Sequence, residues 1–397
     1  MEKTPDAIII GAGVIGCSIA FYLAKRGVKV IILERNSTGS GASGHATGSL
    51  GVLGAEFTPG PSFQMAIMGY KEFINLVPEL EQITEIDLLY QRLPSLRIAL
   101  DETEEHLIKN FMKWQRDHVD VNWINSDEVA QLEPRLTPNV RGAALEPESA
   151  QIDSYRLNLA LESATVTLGG QVLTRNVIGL ITEGNIIKGV RTTKDEIYSP
   201  NIIVAAGSQS AQFAKTLNFP IPVKPLKGER LILKYGGRPL PVLISSPKRG
   251  HMISRKDGFL SVGSTGGRDY DSTERFLINE SEYAPTEAAK IELLQRAIDV
   301  FPDLENAQLV QQLAGSRPLS VDRMPIIGPI PGWDGILLAT GHTTKGIHLG
   351  PITGRIIAEY ILDGKPNIPL DTSVFLPTRF KGDYDADFNL SSKEVEE

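Results

Sequence analysis

The 397-residue sequence predicts a mixed α/β fold in which a parallel sheet is interleaved with an antiparallel one. Three observations carry this. Short aliphatic runs at 7–10, 28–33, 202–205 and 336–339 read as strands buried on both faces, as in a parallel sheet. Alternating stretches at 230–234, 252–254 and 259–262 read as antiparallel strands, the last two joined through an Asp257-Gly258 turn. The two kinds of segment recur in turn along a chain long enough for two domains. The expected division places 1–90, 141–225 and 306–380 in the first domain and 91–140 and 226–305 in the second. The acidic, polar stretch 381–397 is expected to be a mobile tail.

Taken in order, 7–10 is the first strand, 14–26 has helical spacing, and Gly27 stands where a helix C-terminal glycine belongs. The uncharged run 7–24 has the length of a membrane span, but its three spaced glycines and strand-like start argue for strand, turn and helix. After the strand 28–33 comes a loop, 36–54, with glycines at 39, 41, 44, 48, 51 and 54 among Ser, Thr and Ala. A loop so small and apolar is suited to wrapping a ligand. Amphipathic stretches at 104–117 and 287–301 predict helices, one of them covering the antiparallel sheet.

Composition narrows the function classes. Apolar residues are 41% and charged residues 22%, as in an ordinary folded chain, and the net charge of -8 offers no basic stripe to nucleic acid. The single cysteine, Cys17, excludes an intrachain disulfide and a thiolate metal cage, so no metal is expected and a reducing compartment fits. The opening residues lack the pattern of a secretory signal, which makes a cytoplasmic location the expectation; homo-oligomerisation stays open. No HExxH, no phosphate loop ending in Gly-Lys-Ser or Gly-Lys-Thr and no GxSxG elbow occurs.

The chemistry begins at Gly11-Ala12-Gly13-Val14-Ile15-Gly16, which follows a strand and opens a helix. Gly11 permits the tight turn, Gly13 lets the backbone approach a pyrophosphate, and Gly16 brings helix against strand. Glu34 closes the next strand and is placed to accept hydrogen bonds from ribose hydroxyls, with Arg35 beside it. This is a dinucleotide site of Rossmann type. The fingerprint alone leaves NAD and FAD both open.

With further motifs in view, the sequence resembles the D-amino acid oxidase superfamily of flavoproteins, and more closely its glycine oxidase and sarcosine oxidase branch. The resemblance is carried by 8–35, the loop 39–48 (Gly-Ser-Gly-Ala-Ser-Gly-His-Ala-Thr-Gly), Lys227-Gly228-Glu229, Ser254-Arg255-Lys256-Asp257-Gly258 and Val262-Gly263-Ser264-Thr265. It continues through Arg317-Pro318, Pro325-Ile326-Ile327-Gly328 and Ala339-Thr340-Gly341-His342 to Gly350-Pro351-Ile352-Thr353-Gly354. It implies a Rossmann-type FAD-binding domain interleaved with an antiparallel-sheet substrate domain. It also implies that Gly41, Ala42, Ser43, His45, Ala46, Thr47 and Gly48 run beside the flavin, with Val177, Ala206 and Gly207 also at the cofactor. Gly341, Thr344, Lys345 and Gly346 would line the flavin edge, and a helix opening near Pro351 would aim its positive end at the ring.

The same resemblance assigns Arg317 to the substrate carboxylate, a role that a planar guanidinium suits. The structural alternative is an ion pair with Asp322 or Glu229. Glycine oxidases place a tyrosine where this chain has His251. Some relatives attach FAD covalently to a histidine in the loop that holds His45; the expectation here is a non-covalent flavin contact. The lysine that sarcosine oxidases use with oxygen is replaced by Ser261. The implied reaction is hydride transfer from the α carbon of a small amino acid or N-methyl amino acid to flavin N5, giving an imine that hydrolyses. Two rivals remain: an α-hydroxy acid dehydrogenase, with His251 or His342 as base, and a flavin-binding subunit of a hetero-oligomer.

Overall fold

The computed structural model describes residues 4–53, 57–266 and 283–380. The expected tail, 381–397, and Gly54 of the glycine-rich loop lie outside the described residues. Ala7–Ile10 is wholly buried because it runs through the middle of a six-stranded sheet, parallel to Val30–Glu34 on one side and Ile202–Val204 on the other. Gln171–Thr174 forms one edge; Ile336–Thr340 and the antiparallel Ile326–Pro329 complete the other.

Alternate residues of these strands feed two separate cores, as a period of two requires. Ile9, Ile32, Ile203 and Leu337 pack beneath the helices Val14–Lys25, Pro61–Thr84, Ser154–Thr167 and Gly346–Asp363. Ile8, Ile10, Leu33, Val204 and Leu338 pack against a three-stranded sheet, Val177–Glu183, Ile186–Thr192 and Glu196–Tyr198. Cys17 is buried in the first core, where desolvation raises its pKa and leaves it an inert thiol.

The second large sheet has eight strands in the order Gln308–Ser320, Val223–Lys234, Phe259–Gly263, Gly250–Ser254, Leu243–Ser246, Gln91–Ala99, Gly142–Gln151 and Asn122–Asn125. Its pairings are antiparallel except that between Leu243–Ser246 and Gln91–Ala99. One face is apolar: Leu231, Leu233, Met252, Leu260 and Val262 pack under the helix Glu287–Val300, which Thr286 caps by accepting from Ala289 N–H. The other amphipathic helix, Glu102–Gln115, begins at Asp101, whose side chain accepts from Glu104 N–H, and buries Ile108 and Met112 with Ala99 and Ala144.

The last helix departs from the sequence expectation. It opens at Gly346, and Pro351 lies inside it rather than at its start. Gly350 and Gly354 then make a notch against the first helix. A Cβ on Gly350 would stand 2.9 Å from a Val14 methyl, and one on Gly354 2.7 Å from the Ser18 carbonyl carbon. Larger residues would push the two helices apart.

Candidate active site

The carboxyl ends of the parallel strands and the polar face of the antiparallel sheet together enclose a cavity of about 480 Å³. Parallel sheets commonly receive ligands at these strand ends, because the following loops and helix N-termini converge there. At the first strand end, Gly11 has φ +107°, and a Cβ on it would lie 2.6 Å from the Ala205 carbonyl oxygen. A Cβ on Gly16 would lie 1.9 Å from the Gly11 carbonyl oxygen, so the turn closes only with glycine at both positions. Gly13 caps the helix without a side chain, and Val14 N–H donates instead to Ser43 Oγ at 3.0 Å. The Glu34 carboxylate accepts from Ala12 N–H and Asn36 N–H, both at 2.9 Å, which fixes it at the cavity rim with lone pairs to spare.

The glycine-rich loop is wound tightly on its neighbours. Gly48, at φ +89°, has the Ile152 carbonyl oxygen 1.8 Å from where its Cβ would be. His45 packs on Gly315, and its Nδ1 is buried without a hydrogen-bond partner. Burial first, and then the Arg230 charge, hold the His45 pKa below its ordinary value. Thr47 meets the antiparallel sheet directly: its Oγ1 is 2.7 Å from His251 Nε2.

Arg317 reaches the cavity from the edge strand Gln308–Ser320, opposite Leu226. Its guanidinium lies flat across Gly228, where any Cβ would stand 2.2 Å from Cζ. Nη1 donates to the Thr265 carbonyl at 2.9 Å and Nη2 to Ser264 Oγ at 2.7 Å. The two acids offered by sequence as ion-pair partners are engaged elsewhere. Asp322 pairs with Arg379 at 2.6 Å, and Glu229 with Lys227 at 3.3 Å.

The loop before the last helix is tied to the Arg317 strand, since Thr343 N–H donates to the Pro318 carbonyl at 3.0 Å. His342 Nε2 is 3.0 Å from Thr353 Oγ1, and its Nδ1 has no partner. Enclosure within the protein pushes His342 down to about 3, with Lys345 adding to the shift, and His251 down to about 4, with Arg317 and then Arg230 adding. Both imidazoles are therefore neutral at neutral pH.

The structure gathers the sequence-predicted residues around one space. Gly11, Gly13, Val14, Ile15, Glu34 and Arg35 line its nucleotide-fingerprint end together with Val177, Ala206 and Gly207. Gly41, Ala42, Ser43, His45, Ala46, Thr47 and Gly48 form its middle wall. Arg317, His251 and His342 close it with Thr344, Lys345 and Gly346. Gly16 and Gly341 are outside the lining: Gly16 sits under Gly11, and Gly341, at φ +74°, makes the turn after Ile336–Thr340. Sequence reasoning missed Arg230, which lines the cavity two residues beyond Gly228 on the same strand face. Period two puts Arg230 on the face of Gly228, but the sequence alone does not say that this face turns inward. Among the described residues no His, Cys, Asp or Glu cluster could hold a metal ion, and no helix is long and apolar enough to cross a membrane.

A family model described as FAD dependent oxidoreductase, the DAO family, matches residues 6–360. The chain belongs to this family of FAD-dependent oxidoreductases. The flavoenzyme is 28% identical over 390 residues to a glycine oxidase of Geobacillus kaustophilus, covering 96% of this chain and 99% of that protein. It is 30% identical to a glycine oxidase of Bacillus licheniformis, covering 92% and 95% of the two chains. Among solved structures, glycine oxidase from Geobacillus kaustophilus superposes with a TM-score of 0.88 at 27% identity, covering 96% of this chain and 100% of the other.

The cavity of the flavoenzyme fits FAD on its own geometry. Neither helix that opens onto it, Val14–Lys25 or Gly346–Asp363, receives a side-chain cap from its own N-cap residue, so amides and positive helix ends face the space. The cleared turn at Gly11 to Gly16 admits a pyrophosphate. Glu34 at the rim suits a ribose, and the orphaned Nδ1 of His45 asks for a partner in the middle wall.

Proposed function

We propose that this flavoenzyme oxidises the α C–N bond of a small amino acid or N-methyl amino acid to an imine, which water hydrolyses after release. The observation that carries the reading is Arg317, laid flat over Gly228 and braced by Ser264 and the Thr265 carbonyl at the cavity wall. The likeness to glycine oxidases supports the substrate class. Bound FAD supplies the hydride acceptor. Arg317 holds the substrate carboxylate bidentately and so orients the α carbon. His251 is neutral and fixed by Thr47, so it places no cation against the substrate amine and can accept a hydrogen bond from it. The positive end of the helix Gly346–Asp363 favours negative charge developing in the cavity.

In this reading the parallel sheet is the cofactor half and the antiparallel sheet the substrate half. The single buried cysteine agrees with a reducing, cytoplasmic setting. Anaerobic mixing with glycine, sarcosine and other small amino acids should bleach the flavin and release ammonia or a primary amine. Bleaching by lactate or glycolate with no nitrogen product would replace this reading with hydroxy-acid oxidation, and no bleaching by any donor would leave a binding subunit.

FAD is held without a covalent bond in this proposal. Acid precipitation should leave all of the flavin in the supernatant. A yellow pellet yielding a flavin-bearing peptide that contains His45 would show attachment instead.

A further inference from the structure

Arg230 has a place in the site that the reaction above does not use. It is 6% exposed, and Nη1 donates to Ser261 Oγ at 2.9 Å, while Nε is buried with no hydrogen-bond partner. Among the described residues no carboxylate forms a salt bridge with it. The acid that acts on it from nearby, Asp153, is bound at 2.8 Å by Arg255, whose own charge opposes that of Arg230. Burial lowers the Arg230 pKa to about 10, which still leaves it a cation at neutral pH. A buried cation without a counter-charge is unfavourable, and folds keep one where an anion arrives.

The sheet register shows what Arg230 faces. Arg97 is opposite Ser245, Ser245 opposite His251, His251 opposite Gly263, and Gly263 opposite Arg230. Residues paired in this way share one face of a sheet, and the four side chains of this row line the cavity. Ser245 Oγ is buried without a hydrogen-bond partner as well. Gly263 has no side chain to fill the space between His251 and Arg230. Along its own strand, Arg230 stands two residues from Gly228, over which Arg317 lies, a backbone separation of roughly 7 Å. His251 feels both arginine charges. Arg230 and Arg317 thus stand on one wall, to which Arg97 also belongs, separated by a span that a substrate several bonds long covers.

We propose that Arg230 receives a second acidic group of the substrate, so that the preferred donors are amino acids or N-substituted amino acids carrying two carboxylates. This rests on the amine-oxidation reading and names its substrate class. Arg317 takes the carboxylate next to the reacting carbon, and the second one meets Arg230, with Ser245 as a further polar contact on the same wall.

The test measures redox-inert acids binding to the flavin-loaded protein through the change in flavin absorbance. Acetate, propionate and butyrate would be compared with malonate, succinate and glutarate. At least one diacid should bind ten-fold or more tightly than the monoacid of similar length. Arg230→Met should bring that ratio close to one, and Arg230→Lys should leave an intermediate ratio. Arg317→Met should weaken mono- and diacids alike. If Arg230→Met does not retain FAD, the Arg230→Lys ratio decides. The proposal is overturned if wild type shows no diacid advantage or if the ratio survives the Arg230 substitutions. It is equally overturned if those substitutions shift only the ligand-free flavin spectrum, which would assign Arg230 to the cofactor. Monoacid binding and bleaching by glycine without a diacid advantage would sink this inference alone. Silence towards every acid and every amine would sink the function proposal instead.

Discussion

Arg317→Ala is expected to raise the KM for a carboxylate-bearing amine by roughly 30-fold to a few thousand-fold. Leaving a buried carboxylate unpaired costs about 2 to 5 kcal/mol, and each 1.4 kcal/mol is about a factor of ten. FAD content should stay near that of the parent, because Arg317 rests on Ser264 and the Thr265 carbonyl, just past the strand Phe259–Gly263, and not on the glycine fingerprint. Gly228→Ala offers an independent route to the same end. Its methyl would occupy the place of the guanidinium carbon, displacing the clamp without removing its charge. Steady-state kinetics with flavin content measured in parallel separates the roles. A purely structural arginine would lose flavin and stability together, whereas unaltered kinetics on a carboxylate substrate would remove Arg317 from the site.

Acid should destabilise the protein well above the carboxylate range. His251, His342 and His348 are held down to about 4, 3 and 4, chiefly by burial. Unfolded histidines titrate near 6.5, so between those limits the unfolded chain binds about three protons that the folded chain refuses. Stability is then lost as pH falls through 6.5 towards 4. Glu146 acts in the opposite sense, since burial pushes its carboxyl up to about 8 and the folded state keeps a proton that the unfolded state releases above 4.5. For these four groups the net difference from pH 4.5 to 6.5 is about two protons, or roughly 2.7 kcal/mol per pH unit, and His45, also held below its ordinary value, adds in the same sense. Above 6.5 Glu146 alone remains, and stability should drift down towards pH 8. Urea midpoints of the flavin-loaded protein across this range would show the asymmetry. His348→Gln, which can keep the hydrogen bond to the Ala66 carbonyl, should flatten the acid limb by one proton. A flat profile from pH 5 to 7 would mean that the buried imidazoles do not control the limb.

The parts of the fold legible in sequence were those where burial is symmetric. Ala7–Ile10, Ile202–Val204 and Ile336–Thr340 are covered on both faces, so they appear as unbroken apolar runs ending at glycine. Gly142–Gln151 and Gln308–Ser320 are longer, yet they gave no such signal. Each carries polar residues in both phases and the alternation is lost: Ser316 and Arg317 of the second face the cavity, while Glu146 and Ser149 of the first lie against Gly51 of the glycine-rich loop. In the site, Gly11 and Gly16 could be read because backbone clearance admits no other residue there. Arg317 could be read from its motif. Arg230 could not, because it opens the apolar run Arg-Leu-Ile-Leu and looks like a solvated strand end. Only the register with Gly263, His251 and Arg97 shows that it points inward.

The glycine notch has an electrostatic corollary. Val14 meets Gly346 and Gly350, and Ser18 meets Gly354, so the first and last helices run side by side in the same direction with their starts together. Two parallel macrodipoles that begin at one level repel, each presenting about half a positive charge to the other. Side by side, these like poles call for a countercharge, and an anionic dinucleotide supplies it. Cofactor affinity should accordingly weaken as ionic strength rises, and the cofactor-free protein should gain stability from simple multivalent anions that settle between the two helix starts.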